Sequence, residues 1–244
     1  MLLEICAANY QSALNAELGG ADRIELCSEL GVGGITPSYG LVSKVIEKLD
    51  IPVFVLIRPR SGSFVYSEEE LSIMKADIEF CKEIGCSGIV SGVLKPNFEV
   101  DIEATNQLVD ISNPLPFTFH RAFDLTPNSM EALDKIIDLG IDRVLTSGQK
   151  TSAELGMEIL TKLKNYANKQ VTIMPGGGVT LQNIGLFIEA GFREIHCSAS
   201  NLVQEYGAPI ISFNSEKFLD EGKEFQSDIA IIKGLKNTIG NKKF

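Results

Sequence analysis

Short apolar, β-branched runs recur along the chain at residues 2–6, 23–27, 52–58, 88–92, 117–122, 143–148, 171–176 and 194–199, with helically spaced stretches between them. Eight such runs in 244 residues leave about 30 residues per unit, the length of a strand plus a return helix. Residues 52–57 are nearly continuous in apolar side chains, as in a strand covered on both faces of a parallel sheet. Four runs are entered through Gly-x-x-x-[Ile/Val], from Gly20 to Ile24, Gly85 to Ile89, Gly140 to Val144 and Gly191 to Ile195. Each glycine fits the left-handed end of a helix, where the missing Cβ removes the steric cost. Ser67 with Glu70, and Asn128 with Glu131, open two of the helices as N-caps. A last helix is expected at 227–237, after a stretch at 206–226 without clear periodicity.

Alternating strands and helices fit a closed barrel or an open doubly wound sheet. A dinucleotide-binding open sheet wants a Gly-rich turn after its first strand, but here Cys6 is followed by Ala7-Ala8-Asn9-Tyr10. The expectation is one α/β domain over 1–244, a TIM-type (β/α)8 barrel with an atypical segment in the last unit, residues 200–244 completing it. In such a barrel the chemistry gathers at the C-terminal ends of the strands.

Charge and cysteine content narrow the function classes. The formal charge is −10, which disfavours nucleic-acid binding, since phosphate recognition needs clustered Lys and Arg. No basic leader or long apolar stretch opens the chain, and the longest uncharged run, near 171–188, is broken by Gly176, Gly177, Gly178, Gln182 and Asn183. A cytoplasmic protein without a membrane partner is expected. Five cysteines in a long chain without a secretion signal argue for reduced thiols.

Candidate chemistry lies at the strand ends. Glu4-Ile5-Cys6 and Glu25-Leu26-Cys27 put a Glu and a Cys of each of two neighbouring strands on one face. Paired thiolates suit soft ions such as Cu(I), so Cys6 and Cys27 are the candidate metal ligands. Arg58 ends an apolar run and must meet a carboxylate, Glu25 or Glu4, or a bound anion; Arg60 stands on the same proline-braced loop. His120, Arg121 and Asp124 follow the fifth run, and His196 lies in the eighth. His120, His196, Glu25 and Asp124 are the candidate proton-transfer groups. Gly176, Gly177 and Gly178, with Ser147 and Ser198, lie on the loops where barrels hold phosphate. With Arg58, Arg60 and Arg121 they form the candidate ligand site.

The segments Gly19-Gly20-Ala21-Asp22-Arg23-Ile24-Glu25-Leu26-Cys27, Gly33-Gly34-Ile35-Thr36-Pro37-Ser38, Ile57-Arg58-Pro59-Arg60, Phe119-His120-Arg121-Ala122-Phe123-Asp124, Leu145-Thr146-Ser147-Gly148 and Met174-Pro175-Gly176-Gly177-Gly178 closely resemble the CutC family, from about residue 3 to 199. The resemblance implies a TIM-type barrel, a cytoplasmic location and a part in copper homeostasis, with copper bound through cysteines that correspond to Cys6 and Cys27. The chain departs from the family at Ser61-Gly62-Ser63-Phe64, where an acid often precedes the aromatic residue. Two partners are therefore expected, a copper ion or a small anionic metabolite, the second calling for His-mediated acid–base chemistry in an enzyme. A homodimer is compatible with both.

Overall fold

The computed structural model describes residues 1–203, 211 and 224–241. Eight parallel strands, β1 (Leu2–Ala7), β2 (Arg23–Leu26), β3 (Val53–Leu56), β4 (Gly88–Ser91), β5 (Phe117–Phe119), β6 (Arg143–Thr146), β7 (Thr172–Pro175) and β8 (Glu194–Cys197), alternate with helices. The helices are α1 (Tyr10–Gly19), α2 (Tyr39–Lys48), α3 (Glu68–Glu83), α4 (Ile102–Ser112), α5 (Ser129–Asp138), α6 (Met157–Ala167), α7 (Ile184–Glu189) and α8 (Ile229–Asn241). The strands hydrogen-bond in the order β7-β6-β5-β4-β3-β2-β1-β8. A parallel bridge between Gly176 and His196 joins the two edges, so the sheet closes into the expected barrel.

The four echoing glycines all adopt positive φ, 82° at Gly20, 86° at Gly85, 68° at Gly140 and 73° at Gly191, so one backbone device ends four return helices. Ser67 and Glu70 form the complete capping box on α3, and the Asn128 side chain caps α5. Two departures from the periodicity stand out. The fifth run stops as a strand at Phe119, and residues Arg121–Leu125 coil into a tight 3-10 turn, because His120 Nδ1 accepts the N–H of Ala122 at 3.4 Å. After β8 the chain adds an antiparallel pair, β9 (Ser200–Val203) with β10 (Glu224–Ser227); most of the aperiodic 206–226 lies outside the described residues. The last helix then runs to Asn241, four residues past its expected end.

The loop after β6 is closed by two glycines at van der Waals limit. A Cβ on Gly156 would stand 1.9 Å from the Ser147 carbonyl oxygen. Backbone cannot step aside as a flexible side chain does, so Gly156→Ala is expected to lower stability by about 1–3 kcal/mol through overpacking. A thermal melt checks this, and an unshifted midpoint contradicts it.

Candidate functional site

Strand register assembles the site. Across β1 and β2, Glu4 pairs with Arg23 and Cys6 with Glu25; across β1 and β8, Glu4 pairs with His196. Partners in a parallel ladder point to the same side, so Glu4, Cys6, Arg23, Glu25 and His196 converge inside the barrel. Glu4 bonds Arg23 Nε and accepts or shares the His196 Nδ1 proton at 2.7 Å. Arg23 also reaches Glu194 at 2.7 Å, and Arg143 meets the same Glu194 oxygen at 2.9 Å. Both guanidinium groups lie over the Phe54 ring, at 4.5 and 5.1 Å from its centroid. A charged, aromatic-braced floor thus fills the lower lumen.

Above that floor, Cys6 Sγ stands 3.7 Å from Glu25 Oε1 and 3.6 Å from Cys27 Sγ. One ligand atom each of Cys6, Glu25 and His196 lies within 4.8 Å of the others. All five cysteines are free and buried. The Cys27 hydrogen bond and burial hold the Cys6 thiol well above its ordinary value, so without a metal it is a neutral S–H. Glu25 is raised to about 7, chiefly because burial strips its carboxylate of water, with neighbouring Glu4 adding to the rise. Its Oε2 has no hydrogen-bond partner among the described residues. Burial pushes Glu4 up, but the His196 hydrogen bond and the charge of Arg23 prevail and hold it near 2. For His196, burial works against the charged form, yet the Glu25 and Glu4 carboxylates carry it above the ordinary imidazole value.

The two histidines differ for physical reasons. His196 is backed by Glu4, as metal-binding or base imidazoles commonly are. His120 has no carboxylate: burial first, then the charge of Arg58, drives it down to about 3. Its ring is neutral, with Nδ1 accepting from Ala122 and Nε2 without a partner among the described residues. The proton must therefore sit on Nε2, making His120 a donor.

Both histidines, Cys6, Glu25, Arg58, Arg121, Asp124, Gly177, Gly178 and Ser198 border one cavity of about 930 Å³ at the C-terminal ends of the strands. The remaining expected site residues are placed otherwise. Cys27 is fully buried behind Cys6. Arg60 turns away from the cavity, held by Glu70 and the carbonyls of Ser61, Ser63 and Val65. The expected pairing of Arg58 with Glu25 or Glu4 does not occur: its Nη atoms donate to the carbonyls of Val32, Gly34 and Gly62 at 2.7–2.9 Å. The turn after β2 carries the first two of these carbonyls inward and so supplies what a carboxylate would. Asp124 accepts from Thr146 Oγ1, the N–H groups of Ser147 and Gln149, and Arg121 Nε, which makes it an anchor for the β6 loop. Ser147 belongs to that anchor, and Gly176 spends its N–H on the Thr146 carbonyl. Attention to the strand ends alone misses Arg23, Arg143 and Glu194; period-two counting back from Glu25, Leu145 and His196 places all three in the lumen.

Among the described residues no helix is long and apolar enough to cross a membrane. The sequence matches the CutC family over residues 1–201. It is 48% identical over 199 residues to the human copper homeostasis protein cutC homolog, covering 81% of this chain and 73% of that one. It is 41% identical over 238 residues to a CutC family protein of Proteus mirabilis, covering 96% and 95%. The crystal structure of the putative copper homeostasis protein CutC from Streptococcus agalactiae superposes with a TM-score of 0.77 at 35% identity, over 81% of this chain and 98% of that one. Shared sequence over four-fifths of the chain and a shared barrel agree: the chain belongs to the CutC family.

Proposed function

We propose that this CutC homologue binds Cu(I) through Cys6 and Cys27, with His196 as the nitrogen donor. The observation that carries the reading is the 3.6 Å separation of the two sulfurs, of which Cys6 also lies within 4.8 Å of a ring nitrogen of the Glu4-backed His196. Metal–sulfur bonds of about 2.3 Å let one ion serve two sulfurs up to roughly 4.6 Å apart. Soft sulfur and imidazole donors suit Cu(I), whereas the carboxylate of Glu25 is a hard donor. Glu25 instead accepts from the Cys6 thiol in the metal-free protein.

Each thiol must lose its proton to bind, so affinity rises with pH. Competition titration of Cu(I) against a chromophoric chelator tests the reading. Cys6→Ser and Cys27→Ser are each expected to lower affinity at least about 10-fold, the scale of ΔΔG for losing one strong ligand interaction. Affinities equal to that of the unaltered protein would refute it.

A second reading has its own observation. His120 and Glu25, whose buried Nε2 and Oε2 have no partner among the described residues, line a cavity large enough for a metabolite, and a titratable Glu25 beside a Glu4-backed His196 could move a proton on a bound molecule. Turnover of a small anionic substrate that is lost in His196→Gln would support it.

A further inference from the structure

The cavity wall opposite the thiols has no role in holding copper, yet it is built for a ligand. Arg121 donates through Nε to Asp124 and through Nη2 to Ser147 Oγ at 2.9 Å. Its Nη1 has no partner among the described residues. A Cβ on Gly177 would lie 3.3 Å from Arg121 Nη1 and Cζ, so the bare glycine is what lets the guanidinium lie against this turn. Gly177 and Gly178 have φ of 99° and 73°, which bends the backbone in a way a side chain would oppose. The N–H groups of Gly178 and Val179 have no hydrogen-bond acceptor among the described residues, and both residues border the cavity. Asp124 also borders it, but the five donors it accepts disperse its charge.

A second, independent feature borders the same cavity. His120 is 5% exposed, and its Nε2–H has no acceptor among the described residues. Burying a donor unpaired is costly, and the ring is held in place by the edge of Phe64 at 4.7 Å between centroids. Arg58, whose buried Nε likewise has no partner among the described residues, lies on Phe64 at 4.7 Å. The cavity lining therefore offers a cation with free amides together with a fixed neutral donor.

We propose that the cavity binds a small phosphomonoester, its phosphate on Arg121 and the Gly177–Gly178 turn and a hydroxyl or carbonyl oxygen accepting from His120 Nε2–H. Arginine and free backbone amides are the donor set for phosphate, and in barrels the loops after the seventh and eighth strands are the usual place for it. The cavity holds more than inorganic phosphate alone, which is why the carbon-bearing end matters. This site is independent of the copper reading and stands or falls separately.

Isothermal titration of the full chain with inorganic phosphate and with glycerol 3-phosphate, in chelator and without copper, tests it. Both probes are expected to bind saturably, with glycerol 3-phosphate about 3- to 10-fold tighter, the worth of one neutral hydrogen bond. Arg121→Gln should weaken both by about 10- to 100-fold, as loss of a charge-assisted contact does. His120→Phe should erase only the preference for glycerol 3-phosphate. Circular dichroism confirms folding of each variant; should His120→Phe fail to fold, Arg121→Gln, on a half-exposed side chain, carries the test. Absence of saturable binding by either probe, or equal binding in Arg121→Gln, would overturn the site. Glyceric acid as a third probe separates phosphate from carboxylate recognition: tighter binding of the carboxylate would overturn the assignment to phosphomonoesters.

Discussion

Replacing Glu4 by alanine is expected to cost about 3–5 kcal/mol of stability, the scale for removing one partner of a buried ion pair. Glu4 is fully buried and is shared by Arg23 and His196. Its loss leaves the His196 ring without its acceptor and Arg23 with Glu194 alone. Urea melts at pH 7, read as a midpoint change at constant slope, measure the effect. A midpoint within error of the unaltered protein would show that the lumen floor contributes nothing. The same carboxylate sets an acid limit. Its folded value near 2, against an ordinary 4.5, is depressed, so its contribution is complete above about pH 4.5 and drains away as pH falls toward 2.

Glu25→Gln is expected to act in the opposite direction. Glu25 is buried, makes no direct ion pair among the described residues, and is raised by burial to about 7 from 4.5 against the opposing charge of His196. Between those values the folded protein holds a proton that the unfolded chain has released, so stability falls as pH rises through this window and levels off above it. Glutamine keeps the shape without the charge. In the presence of a chelator, the variant should match the unaltered protein near pH 4.5 and exceed it by about 3 kcal/mol at pH 8, since each tenfold change in proton affinity is worth about 1.4 kcal/mol. Denaturant midpoints across that range decide the point. A variant less stable at pH 8 would mean that a cation supports Glu25, as in the Arg58 pairing that the geometry replaces with carbonyl contacts.

The barrel was legible because its cause is local. Apolar runs such as 52–57 demand cover on both faces, and glycine at the end of each return helix is a backbone requirement visible in the letters themselves. The Glu-x-Cys repeat was likewise legible, since period-two alternation and adjacent strands leave Glu4, Cys6 and Glu25 one place to go. What the letters could not carry was long-range. Arg58 is satisfied by carbonyls at 32, 34 and 62, and nothing in the type of a residue announces its backbone oxygen as a partner. Arg60 turns outward because Glu70, which caps α3, draws it there. His120 and His196 look alike in sequence, and only the presence or absence of a carboxylate behind the ring sets one up as a fixed donor and the other as a basic imidazole.

Copper K-edge X-ray absorption of the Cu(I)-loaded protein reports which atoms surround the ion and so tests whether Cys6, Cys27 and His196 hold it. Two sulfur scatterers and one imidazole nitrogen are expected, with one sulfur lost in Cys6→Ser and the imidazole signal lost in His196→Gln. A first shell of oxygen and nitrogen alone, unchanged by Cys6→Ser, would contradict that ligand set.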